Sequence, residues 1–82
     1  MKQQIDIEEF VSQISLFQKE KEVKKNMKYY FSDVLTQEWA TKDLELRRLI
    51  RFARYSCRIQ KIDALKKHIS EIKRYLKQKE SL

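Results

Sequence analysis

Apolar positions recur at intervals of three and four along most of this 82-residue chain, the spacing that stacks side chains on one face of an α-helix. The first series is Ile7, Phe10, Val11, Ile14 and Phe17. Asp6 stands before it as an N-cap, and Glu9 three residues later completes a capping box. Residues 18–25, QKEKEVKK, are polar on nearly every face. Beyond them Val23, Met27, Tyr30 and Val34 keep the helical spacing, and Phe31 and Leu35 widen the stripe. The first helix is therefore expected to continue over residues 7–30, supported by opposite-sign pairs such as Glu20 with Lys24. Ser32, Asp33, Thr36, Thr41 and Asp43 then concentrate side chains that bond locally to backbone N–H groups and favour helix ends. The main connection belongs here, with a short extra turn at residues 34–40 and Trp39 packing as a lid over the edge of the core.

From Leu44 the helical pattern resumes in two apolar faces. Leu46, Leu49, Ile50, Ala53 and Cys57 share one, and Phe52, Tyr55 and Ile59 share another. At Ile62 a new seam begins, Ile62, Leu65, Ile69, Ile72 and Leu76, at the alternating spacing of a helix that packs on another helix. One straight helix over residues 44–79 would project this seam on the side already occupied by a row of arginines, and one face cannot be solvated for half its length and buried for the rest. Two resolutions are open. Either the chain breaks at residues 60–63 with Asp63 as an N-cap, or the seam buries against a second copy. The expected architecture is an all-α bundle of three helices, at residues 7–30, 44–60 and 63–79, in one domain spanning residues 1–82. The seam is a candidate homodimer interface, although its two heptads are too short for a free-standing coiled coil.

Composition narrows the classes of function. The chain has no glycine and no proline, so Gly-rich phosphate loops, Rossmann turns and tight hairpins are disfavoured. Its one cysteine, Cys57, cannot close an intrachain disulfide, which favours a reducing, cytoplasmic setting. No stretch approaches the roughly 18 apolar residues of a membrane span, and MKQQIDIEEF carries acids where a signal peptide needs a basic and then an apolar run. A lysine- and isoleucine-rich chain of this size is in the style of a bacterial, phage or plasmid accessory factor.

Catalytic chemistry finds little support. The only histidine, His68, has no second histidine or cysteine at metal-ligand spacing, and is expected to be a solvated surface residue. The carboxylates Glu8, Glu9, Asp33, Glu38 and Asp43 have no spacing that makes them converge, and a chain this short has little room for a cleft. Cys57 lies on an apolar face, where an inert thiol is expected. No enzyme, metal or cofactor is expected.

Charge gives the positive indication. Residues 1–43 hold seven basic groups against eight acidic ones and residues 44–82 hold twelve against four, so the whole net charge of +7 lies in the C-terminal half. All six arginines are there as well. Arg47, Arg51, Arg54, Arg58 and Lys61 follow one another at +4, +3, +4 and +3, which would put them within about 80° of arc along roughly 20 Å of helix. Arg48 stands just outside, and because apolar side chains take most of the remaining circumference, the row is expected to be the main exposed face of a largely buried helix. Glu45 is the only acid between Leu44 and Ile62, although like charges at helical spacing are unfavourable by about 0.2–0.5 kcal/mol per pair. The row therefore calls for an anion, supplied either by Glu8, Glu9, Glu20 or Glu22 of the acidic half or from outside.

The leading external anion is nucleic acid, DNA ahead of RNA, because the planar guanidinium holds phosphate oxygens in pairs. Lys66, Lys73 and Arg74 would extend that surface, and Tyr55, Ser56 and Gln60 would add polar contacts. The alternative is an adaptor or inhibitor whose row meets an acidic protein surface. The residues 60–63, Gln-Lys-Ile-Asp, lack the turn signature of a helix-turn-helix.

Overall fold

Asp6 caps the first helix as the sequence predicts: its carboxylate accepts the Glu9 backbone N–H at 2.7 Å. In the computed structural model, which describes residues 4–80, five helices follow in order. They are α1 (Ile7–Phe17), α2 (Lys25–Val34), α3 (Glu38–Thr41), α4 (Leu44–Arg58) and α5 (Ile62–Glu80). Among the described residues there is no strand, so the chain is all-α. The three-helix count is corrected to five, because the expected first helix divides in two and the extra turn is a helix of its own.

The division falls in QKEKEVKK. Phe10, Ile14 and Phe17 bury the inner face of α1, but the next five residues contribute no apolar anchor to hold a further turn against the core. Nucleating and holding helix without such packing is unfavourable. The chain leaves α1 at Gln18 and re-enters helix at Lys25, where Met27, Phe31 and Val34 are the next residues to be buried. The Glu20–Lys24 pair does form, at 3.2 Å, across the connection rather than within a helix.

A short segment before α1 fixes α3 in place. Ile5 is buried in the core, its N–H donates to Gln37 Oε1 at 3.0 Å, and its carbonyl accepts Trp39 Nε1–H at 2.7 Å. Trp39 lies with its ring centroid 5.4 Å from that of Phe10. It closes the core edge, as expected, and satisfies a backbone carbonyl besides.

The arginine-bearing helix and the seam helix form an antiparallel hairpin. Asp43 caps α4 by accepting the Leu46 N–H at 3.1 Å, and the same carboxylate holds Tyr75 and Lys79 from the far end of α5. Of the two resolutions considered for the seam, the break is the one observed. Gln60 takes the left-handed conformation, φ 57°; its N–H bonds to the Cys57 carbonyl at 3.1 Å, and the Lys61 N–H bonds to the Ser56 carbonyl at 3.0 Å. That pair of bonds is a Schellman motif, which normally uses glycine at this position. With no glycine in the chain, a glutamine carries the positive φ. Asp63 is not the N-cap but lies in the first turn of α5, where its charge complements the positive end of the helix dipole.

Reversal of the chain turns the seam inward. Leu65, Ile69 and Ile72 are fully buried, and Ile62 and Leu76 pack half-buried against the same core cluster. Burying each such side chain is worth about 1.5–3 kcal/mol, so the chain's own fold takes up the surface that would otherwise serve a second copy. No described helix is long and apolar enough to cross a membrane.

Candidate nucleic-acid interface

The core takes a narrow arc of α4. Leu46, Ile50, Ala53 and Cys57 are buried, with Ser56 beside them; the Ser56 hydroxyl donates to the Phe52 carbonyl at 3.1 Å and so is not available to a ligand. Every arginine of the stretch is exposed. Arg47, Arg51, Arg54 and Arg58 form a row along one flank, within about 60° of arc and about 16 Å of axis. Lys61 is exposed as well but lies beyond the turn at Gln60, so it follows the row without belonging to the same helical face.

The second apolar face of this helix is not core. Leu44 is 78% exposed, Phe52 41%, Tyr55 57% and Ile59 40%. Together with Arg48 they recur at +4, +4, +3 and +4 and make up the outer pole of α4, directly beside the arginine row. The expectation that apolar contacts would cover most of the helix is thus corrected. The signal for it was in the sequence: a helix of 15 residues in a small bundle has neighbours for one apolar arc, and this one carries two. The core arc contacts α2, α3 and α5, which leaves the other to solvent.

Among the described residues the carboxylates that pair do so elsewhere than on the row. Glu20 pairs with Lys24, Glu38 with Lys42 at 2.6 Å, Asp43 with Lys79 at 2.6 Å, and Glu45 with Arg48 at 3.8 Å. Among the described residues no carboxylate pairs with Arg47, Arg51, Arg54, Arg58 or Lys61. The acids of the N-terminal half that were candidates for this task do not reach across.

Side chains on the pole are partly organised already. The Arg48 guanidinium lies over the Phe52 ring, 5.5 Å from its centroid, and His68 of α5 stacks on Phe52 at 5.6 Å with the rings 28° apart. Nδ1 of His68 is 2.9 Å from Glu71 Oε1. His68 is therefore half-buried between two partners, a correction to the solvated residue expected. Tyr55, by contrast, has no ring or hydrogen-bond partner among the described residues. It borders both a groove of about 580 Å³ lined by Leu44, Arg47, Arg48, Arg51 and Phe52 and a smaller one of about 180 Å³ lined by Arg51, Arg54 and Arg58.

The basic residues of α5 lie elsewhere. Lys66, Lys73 and Arg74 stand about 160°, 140° and 120° around the axis from His68, whose ring stacks on Phe52 of α4. Lys73 Nζ donates to Gln18 Oε1 of the chain just after α1 at 3.1 Å, and Gln18 Nε2 donates to the Lys66 carbonyl at 3.4 Å and the Ser70 hydroxyl at 2.9 Å. Lys66 and Lys73 are thus on the α1 side of α5, and Arg74 is exposed on its outer side. The structure does not bring these three to the arginine row.

Other chemistry is sparse. Burial pushes the Cys57 thiol up to about 11, away from the range of an activated nucleophile. Among the described residues there is no group of three or more histidine, cysteine, aspartate or glutamate side chains placed to hold a metal ion. Comparison of the chain with protein-family models, with curated proteins and with solved structures gives no match.

Proposed function

We propose that this protein binds nucleic acid through the outer face of α4, with Arg47, Arg51, Arg54 and Arg58 on phosphate oxygens. The observation that carries this reading is a row of exposed guanidinium groups with no carboxylate partner in the described chain, set on the half that holds the whole net positive charge. Each exposed guanidinium offers paired donors to a phosphate, and each phosphate contacted releases a condensed counterion, so affinity depends steeply on salt. A mobility shift at about 50 and about 200 mM salt is the test: binding that falls by orders of magnitude between the two supports the proposal. No retained species at low salt would remove it.

A second reading is favoured by a different observation. Leucine, phenylalanine, tyrosine and isoleucine exposed in one stripe beside arginines is the composition of a protein-binding surface. On that reading the partner is an acidic, amphipathic protein segment that lays its apolar side on Leu44, Phe52, Tyr55 and Ile59 and its carboxylates on the row. Its mark would be binding that keeps most of its affinity at high salt.

A further inference from the structure

We infer that the strand held on α4 is single, with its backbone on the arginine flank and its bases lying over the apolar pole, where Tyr55 is the stacking platform. This inference rests on the nucleic-acid reading above and specifies its ligand.

The charge on α4 is one-sided. The unpaired arginines all lie on one flank of the pole, whereas the other flank carries Glu45, and next to it Glu71 of α5 sits on His68, which covers Phe52. A helix seated in a duplex groove has a phosphate backbone on each side of it. Here the second backbone would meet two carboxylates, already engaged by Arg48 and His68, and none of the row's arginines. A single backbone meets cations alone.

The pole is also the wrong surface for a groove floor. Base edges in the major groove present hydrogen-bond donors and acceptors apart from the thymine methyl, and Leu44, Phe52 and Ile59 can make no hydrogen bond to them. Unpaired bases turn their apolar faces outward instead and stack on exposed aromatic rings. Phe52 already has Arg48 at 5.5 Å and His68 at 5.6 Å from its ring, so Tyr55 is the ring left for a base. Arg51, Arg54 and Arg58 surround it, which places a stacked base within one side chain's reach of its own phosphate's partners. The row's length of about 16 Å matches about five phosphates at the spacing of a stacked strand, 3.4 Å per nucleotide.

The test is fluorescence anisotropy with the intact protein and a labelled strand of about 12 nucleotides, within the range that small single-strand modules cover, offered as single-stranded DNA, as single-stranded RNA and as duplex DNA. Tighter binding of either single strand than of the duplex is expected, with Tyr55→Ala weakening single-strand binding by about 5- to 100-fold, Tyr55→Phe retaining it, and duplex binding unmoved. Equal affinity for strand and duplex, or a single-strand affinity that Tyr55→Ala leaves unchanged, overturns the inference while phosphate binding by the row stands. Absence of binding to all three probes at low salt overturns both. The Tyr55 side chain is exposed and has no ring or hydrogen-bond partner among the described residues, so circular dichroism of Tyr55→Ala should match the parent.

Discussion

The hydroxyl of Tyr75 lies 2.7 and 2.9 Å from the two carboxylate oxygens of Asp43, and shares its one proton between them. This contact fastens the end of α5 to the residue that caps α4, so one carboxylate both starts the arginine-bearing helix and closes the hairpin. Lys79 joins it at 2.6 Å. Partial burial acts to raise the Asp43 carboxyl, but hydrogen bonds from Lys79, Tyr75 and the Leu46 N–H, with the charge of Lys79, outweigh it and hold the group below its usual value.

Asp43→Ala is expected to destabilise the fold by about 2–3 kcal/mol, about 1 from the lost cap and the remainder from the buried side of a charged hydrogen bond. Tyr75→Phe removes one partner only and is expected to cost about 1 kcal/mol. The pH dependence has a definite sign. A carboxyl depressed in the folded state binds more protons when unfolded, so its contribution is complete above about pH 3.9 and disappears as pH falls through the folded value. Urea midpoints of parent and Asp43→Ala should therefore differ at neutral pH and converge on acidification. A constant difference at all pH values would mean that the charge of Asp43 plays no part.

Gln60→Gly should stabilise the protein. A left-handed non-glycine residue is unfavourable by about 1–2 kcal/mol, and glycine's extra freedom in the unfolded chain offsets about 0.5–1 of that. A net gain of about 0.5–1 kcal/mol follows, or several degrees in Tm for a domain of this size. Gln60→Val, β-branched at positive φ, should do the reverse; a valine variant as stable as the parent would show that the turn does not hold this conformation.

The Arg51→Glu, Arg54→Glu double variant separates site from scaffold. Both side chains are exposed and have no carboxylate partner among the described residues, and each reversal places a glutamate three or four residues from a remaining arginine, at about 0.2–0.5 kcal/mol per pair in favour of the helix. Thermal stability is expected to stay level or rise slightly while nucleic-acid affinity falls and its salt slope flattens. A variant that stays folded and binds as well as the parent would dispose of the phosphate contact.

Cys57 should resist thiol reagents in the folded protein and react promptly once unfolded in urea, because burial keeps the thiol protonated at neutral pH, with its pKa pushed up to about 11. Native labelling as fast as in urea would contradict its placement in the core. Cys57→Ser, which puts a hydroxyl in an apolar site, is expected to cost about 1–3 kcal/mol.

Much of the helical content was legible in periodicity, since Phe10, Ile14 and Phe17, or Leu65, Ile69 and Ile72, recur at a spacing that only one face of a helix uses. The Asp6 and Asp43 caps lie where capping residues precede an apolar run, though Asp43 stands in a cluster of such residues and nothing local marks it out from the others. The break after Arg58 could be inferred from the conflict between seam and row, but its device, a glutamine in the left-handed region, follows no local signature. QKEKEVKK misleads because helical phase carries across a gap whether or not the gap is helical; residues 18–22 bring no apolar side chain to the core, and Val23 packs only partly buried at its edge. The outer pole of α4 was missed for a related reason. Exposure depends on how many neighbours a helix has; the spacing of Phe52, Tyr55 and Ile59 marks a second apolar arc, and only the small size of the bundle marks that arc as one without a neighbour.

The turn at residues 59–61 also bears on the order in which the molecule assembles. Closing three residues between α4 and α5 loses little chain entropy, whereas the bonds from Ile5 to Gln37 and Trp39 span 32 and 34 positions. Local contacts of high yield form early and distant ones late. The hairpin that displays the arginines is thus expected to be an early folding unit, with the N-terminal segment docking afterwards as a strap, so that fraying at the strap would loosen α3 well before it disturbed the arginine-bearing face of α4.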